Sequence, residues 1–371
     1  MAKVPKSKLL NFRKIILITW PFLLAMLVFL GVRIAIRHST FVESVYSERI
    51  YPVIAATSSY LSRYFPFSLW DIFWILIILA MLIALVLVII KKIKFGWYIL
   101  RILQLVALLY SCFYISWGYN YFRPNIEKRL KWEKPPAEEK LFRSVLDTLI
   151  AETNKNYTSS TSADYPEFDK LIEESYLRNA PELDIAYPNG TRRPKTMIFS
   201  SFFSKVGVSG YFGPFFNEIH LNSYNLPMDY PFVLAHEKAH QFGFTSESEA
   251  NLVAFVICIK SEDKRVRYSG FQSLLLYLLK DASRMKDYKD FISKIDTVVI
   301  KDFHMRQKYY QGLENKNLSR VQTKANDIYL KANKVDKGVK NYNQVVSLVT
   351  CWYYNSVMKN GGTKTGRSSP F

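Results

Sequence analysis

His236-Glu237-Lys238-Ala239-His240 carries the sharpest chemical signal in the chain. Residues four apart on a helix share a face, so both imidazoles can grip one Zn²⁺, and Glu237 can then reach a water on that ion. With five histidines in 371 residues, chance gives such a pattern a likelihood of about 0.003. A catalytic zinc needs a third protein ligand and an open fourth position. The following segment, Glu247-Ser-Glu-Ala-Asn251, offers two acids for that role. Glu247 and Asn251 are four apart, so a ligand at Glu247 leaves Asn251 able to hydrogen-bond a ligating imidazole. Glu249 sits about 200° round the helix from Glu247. Glu247 is therefore the preferred ligand and Glu249 the alternative, the other acid being structural. Ser246 stands where a metzincin would show its third histidine, which argues against that clan.

These residues need elements to hold them. The pattern predicts a helix over Pro231–Phe242, opened by a first-turn proline and ended by Gly243. Thr245 or Ser246 can cap the next helix, running to about Lys260. Upstream, helical spacing covers Ala137–Asn154 and Tyr165–Arg178, and turn chemistry follows at residues 187–191. Strands are expected at Lys195–Phe203 and Asn217–Ser223, separated by a loop marked by glycines 207, 210 and 213. After Gly270 the chain reads as helical at Phe271–Ser283, Tyr288–Val298, Leu318–Ala332 and Tyr342–Tyr354, with a tail at 359–371 of disordered composition. The expected class is α+β, mostly helical with a small sheet.

Three uncharged apolar runs, Ile15–Val32, Ile72–Ile90 and Ile102–Phe122, are each long enough to cross a bilayer as a helix. Gln104, Ser111, Ser116 and Asn120 dilute the third, as groups buried between membrane helices can. Lysines and arginines before the first run and at Lys91, Lys92, Lys94 and Arg101 put the N-terminus in the cytoplasm by the positive-inside rule. Three crossings leave everything after Phe122 outside, although Arg123, Lys128, Arg129 and Lys131 sit on that side. The expected organisation is an anchor at 1–122, an extracytoplasmic domain at 123–358 and the tail.

The net charge of +19 is split accordingly: residues 1–122 hold 13 bases and 3 acids, leaving 37 bases and 28 acids in the remaining 249 residues. No run there interleaves bases with aromatics, so a solvated surface facing anionic lipid is favoured over a nucleic-acid face. Cys112 lies in the third apolar run. Cys258 and Cys351 sit in apolar stretches, where a buried free thiol is more usual than a disulfide.

The HExxH motif with a downstream ExxxN helix resembles the gluzincin side of the zincin metallopeptidases, Asn251 standing in place of the usual Asp. The longer pattern adds three N-terminal spans, Glu218-Ile-His-Leu-Asn222, HEKAHQFGF and ESEANLVAF. It is similar to an uncharacterised bacterial membrane family with a zincin-like domain of unknown function. The resemblance covers most of the chain, its specific motifs occupying residues 210–256. It implies a zinc-dependent hydrolase in a bacterial cytoplasmic membrane, without implying a substrate. It also implies that Asn217–Ser223 is the sheet-edge strand along the cleft, pairing with an extended peptide. His220 is then either an exposed strand histidine or a cleft residue polarising the substrate carbonyl. Tyr224 and Tyr230 could serve similarly, while Tyr342 reads as packing.

The expected activity is peptide-bond hydrolysis near the membrane, with Zn²⁺ on His236, His240 and Glu247 and with Glu237 as general base. The alternatives are a membrane-anchored zinc-binding or regulatory protein without turnover, and a chance motif. Glu237 favours the enzyme, because a purely structural zinc uses four protein ligands and needs no acid beside the first histidine.

Overall fold

The computed structural model describes residues 6–136, 139–159, 164–187, 190, 192–332 and 344–359. Parts of the expected turn at 187–191, Tyr342 and most of the tail lie outside the described residues. Three helices are long and apolar enough to cross a membrane: α1 (Lys6–Ala35), α4 (Leu69–Ile89) and α5 (Phe95–Ser116). Between α1 and α4, where the sequence suggests only a loop, the chain is helical through α2 (Ser39–Phe41), a π-helical stretch (Val42–Ile50) and α3 (Tyr51–Ser62). The third apolar run divides at Trp117, whose extended φ of −160° ends α5 before a 3₁₀ turn at Gly118–Phe122. Asn120 therefore lies outside the span, where it accepts a hydrogen bond from Ser47 at 2.8 Å. Gln104 ties α5 to α1 by donating to the Ile18 carbonyl at 2.9 Å, and Ser111 is fully buried. Gln104 is thus satisfied between helices, while Ser111 donates to the Ala107 carbonyl of its own helix at 2.8 Å.

The rest of the chain is mostly helical around a small sheet. Its elements are α6 (Ile126–Arg129), α7 (Glu139–Asn156), α8 (Tyr165–Asn179), β1 (Lys195–Thr196), α9 (Ser200–Lys205), β2 (Gly210–Gly213), β3 (Glu218–Leu221), α10 (Tyr230–Gln241) and α11 (Glu247–Ile259). After these come α12 (Lys264–Ala282), α13 (Tyr288–Ser293), α14 (Thr297–Leu313), α15 (Lys316–Ala332) and α16 (Val345–Tyr353). The core is α11, buried on every side from Ser248 to Ile259, as its run of apolar residues requires. It packs against α10, α12, α8 and α16. Cys258 and Cys351 are buried free thiols.

Four expectations are corrected here. The strand at 195–203 is only two residues long, because Ile198 turns its N–H to Asp71 at 2.9 Å and Phe199 and Phe202 face outward, so α9 follows. The glycine-marked loop is a strand, β2. The sheet order is β1-β3-β2, with β3 parallel to β1 and antiparallel to β2. β3 is thus the centre of the sheet and β2 an edge. Gly270 lies inside α12 instead of before it, since a Cβ there would come 2.6 Å from the Cβ of Cys258.

The helix carrying the HExxH motif is pinned on the face opposite its histidines. Lys238 is fully buried and ion-paired to Glu173 at 2.6 Å and to Asp169, both on α8. Burial works to raise the Glu173 carboxyl, but Lys238 and Arg192 beside it outweigh burial and bring it down from 4.5 to about 2. A depressed carboxylate stabilises the fold above its ordinary value and loses that contribution as pH falls through 4.5 towards 2. Thermal unfolding of the full chain should therefore show a loss of stability over that acid range. Lys238→Met should cost about 3–5 kcal/mol at neutral pH and flatten the acid dependence.

Candidate metal centre

Pro231 in the first turn and Gly243 just past the last set the limits of α10. Gly243 has φ +88°, and a Cβ there would also press on Asn120 and Arg123. The last turn of a helix leaves carbonyls without internal partners. Here they are met from the membrane-proximal segments: Trp117 Nε1 donates to the His240 carbonyl at 2.9 Å, and Tyr51 Oη to that of Gln241 at 2.6 Å. Tyr176 donates to the Ala235 carbonyl at 2.6 Å. The helix is thereby held in rotation as well as in position.

Each histidine is oriented through its Nδ1. That of His236 lies 3.0 Å from Asn251 Oδ1 and that of His240 lies 2.7 Å from the Phe244 carbonyl. Both acceptors fix the proton on Nδ1 and leave Nε2 as the free lone pair. The two Nε2 atoms are 3.1 Å apart, and Glu247 Oε2 lies 3.2 Å from one and 3.6 Å from the other. Tetrahedral Zn²⁺ with ligands at 2.0–2.1 Å requires separations of roughly 3.3 Å. Among the described residues, His236, His240 and Glu247 form the one cluster of three such donors, and they fit the ion. Burial works to lower the His240 imidazole, but Glu247 outweighs it and lifts the ring to about 9. Burial likewise works to raise Glu247, and the two imidazoles hold it below the ordinary carboxylate range. A divalent cation on the two Nε2 atoms would meet the same carboxylate and would take the place of any proton there.

Glu237 sits beside this trio, buried, with Oε2 making no hydrogen bond in the structure. Burial raises its carboxyl above the ordinary value, partly offset by His236 and His240. The edge strand β2 passes directly over it: a Cβ on Gly210 would fall 2.6 Å from Glu237 Oε1. Only glycine permits that approach. His236, Glu237, His240, Glu247, Asn251 and Gly210 all line a cavity of about 830 Å³.

The other sequence candidates lie elsewhere. Glu249 points away from the histidines and accepts from the Ile126 N–H at 3.0 Å, which makes it the structural acid. His220 is neither exposed nor a cavity residue. It lies fully buried in the central strand, stacked on Tyr211, with Nε2 2.9 Å from Ser68 Oγ. Tyr230 is buried against Phe168, and Tyr224 is exposed. Trp117, Tyr277 and Arg306 are among the cavity residues that the sequence did not single out. Arg306 is braced by Asp229, with Nε 2.8 Å from Oδ1. Nothing in the local sequence distinguishes Tyr277 from 24 other tyrosines.

Metal analysis of the full chain should separate the two acids. Glu247→Ala should lose bound zinc, whereas Glu249→Ala should retain it in whatever fraction folds. Asn251→Ala should weaken zinc affinity by roughly 10–100-fold.

Comparison with known proteins adds a family and no activity. No curated protein and no solved structure matches the chain. One family model, described as "Protein of unknown function (DUF3810)", matches residues 46–350, from the π-helical stretch through α10 and α11 to α16. On that match the chain belongs to the DUF3810 family.

Proposed function

We propose that this protein is a membrane-anchored zinc metallopeptidase. The observation that carries the reading is the joint placement of three zinc-type donors and one buried, unpaired carboxylate on a single cavity wall. When bound, Zn²⁺ would supply a Lewis acid and acidify a water at its open position. Glu237 would take a proton from the attacking water and return it to the leaving amine. Its raised proton affinity suits both halves of the task. Asn251 and the Phe244 carbonyl keep the two imidazoles in the ligating tautomer.

The outer edge of β2 has no strand partner among the described residues and borders the cavity. An extended peptide can add to it by main-chain hydrogen bonds, and Gly210 brings that backbone against Glu237. The cation distribution supports an N-terminus in the cytoplasm and a cavity on the outer side of the membrane, which the family resemblance implies is a bacterial cytoplasmic membrane. Arg123 and Arg129, two of the cations counting against this orientation, are buried in an ion pair with Glu43 instead of marking a cytoplasmic loop.

Two outcomes test the reading on peptide libraries with the full chain. Glu237→Gln should keep its zinc and lose roughly 10²–10⁴-fold in hydrolysis; undiminished turnover would remove Glu237 from the mechanism. Gly210→Ala should also keep zinc and lose about 100-fold, because the new methyl displaces the base.

A further inference from the structure

Helix α15 is built inside out. Its polar residues Ser319, Gln322 and Asn326 recur at helical spacing and face inward, with the exposed Thr323 at the margin, lining the metal-site cavity and a smaller one beside it. Its apolar residues Leu318, Val321 and Ile328 form the opposing stripe and face outward, with Val321 and Ile328 67% and 69% exposed. A surface helix in water has the reverse arrangement. Lys316, Arg320 and Lys324 border the stripe, all exposed, and Asp327 is the one acid between residues 316 and 328.

What covers this stripe follows from where it leads. The Asn315 N–H, at the start of α15, donates to the Lys205 carbonyl at 2.8 Å, at the end of α9. Helix α9 and the residues before it expose Ile198, Phe199 and Phe202. Ile198 in turn is bonded to Asp71, in the first turn of the apolar helix α4. The exposed apolar surface thus continues from the start of a membrane-crossing helix, across α9, to α15.

We propose that α15 lies in the interface of the same bilayer that α4 enters, its apolar stripe in the acyl boundary and its basic border on anionic headgroups. The helix then serves as membrane contact on one side and cavity wall on the other. This assignment is independent of the peptidase reading.

The test is a nitroxide scan of the full chain in phosphatidylcholine vesicles with and without phosphatidylglycerol. After Cys112→Ala, with the other two cysteines buried, a single label is placed through Val321→Cys, Ile328→Cys or Thr323→Cys. The accessibility ratio of oxygen to a water-soluble nickel chelate should be several-fold higher at 321 and 328 than at 323. It should also rise when phosphatidylglycerol is present. Equal, water-like ratios at all three positions would overturn the proposal. So would shielding from both reagents at 321 and 328, and spin–spin broadening would then identify a second copy as the occupant. A ratio unaffected by phosphatidylglycerol would overturn the role given to the basic border.

Discussion

The structure depends on how the last turn of α10 is closed. The Gln241 carbonyl, which the helix end leaves open, is taken by Tyr51, and that of His240, which also accepts from the Gly243 N–H at 3.0 Å, by Trp117, both from segments flanking the apolar helices. Because the acceptors belong to His240 and its neighbour, the same bonds set the height and rotation of the two imidazoles. Asn217 completes the clasp, its carbonyl accepting from Gln241 and its side chain donating to Tyr51 at 3.2 Å. Anchor, sheet and metal helix therefore meet at one small polar junction.

A second constraint is that α10 is buried while bearing charge on two faces. One face presents His236, Glu237 and His240 to the cavity, and the other drives Lys238 against Glu173 and Asp169. Burying an ammonium is tolerable only when it is paired. The pairing also resists rotation of the helix, since turning the histidines away would separate Lys238 from its carboxylates. Gly210 closes the arrangement from the sheet side, where any side chain would meet Glu237.

What could be read from the sequence was whatever is periodic or local. The four-residue spacings of His236 with His240 and of Glu247 with Asn251 foretold the convergence of donors and the outer support by Asn251. The apolar runs foretold the membrane-type helices. What escaped was set by distant partners. The glycines at 210 and 213 looked like loop punctuation because the reason for them, Glu237 and Trp70, is remote in sequence. His220 looked like an edge residue because strand order is not written in the strand itself. The segment 39–62 has mixed polarity and no clean period, yet it is helical because Glu43, Ser47 and Tyr51 find partners beyond residue 116.

The bond between Tyr51 and Gln241 joins residues 190 apart in the chain. During synthesis the apolar helices and Tyr51 emerge first, so the receptor for the α10 carbonyls has already been made when α10 appears. The last turn of α10 then folds onto a waiting template instead of searching for one. Completion of the histidine-bearing helix is in this way tied to the earlier placement of these segments, and a chain in which they were misplaced would lack the donors that finish it.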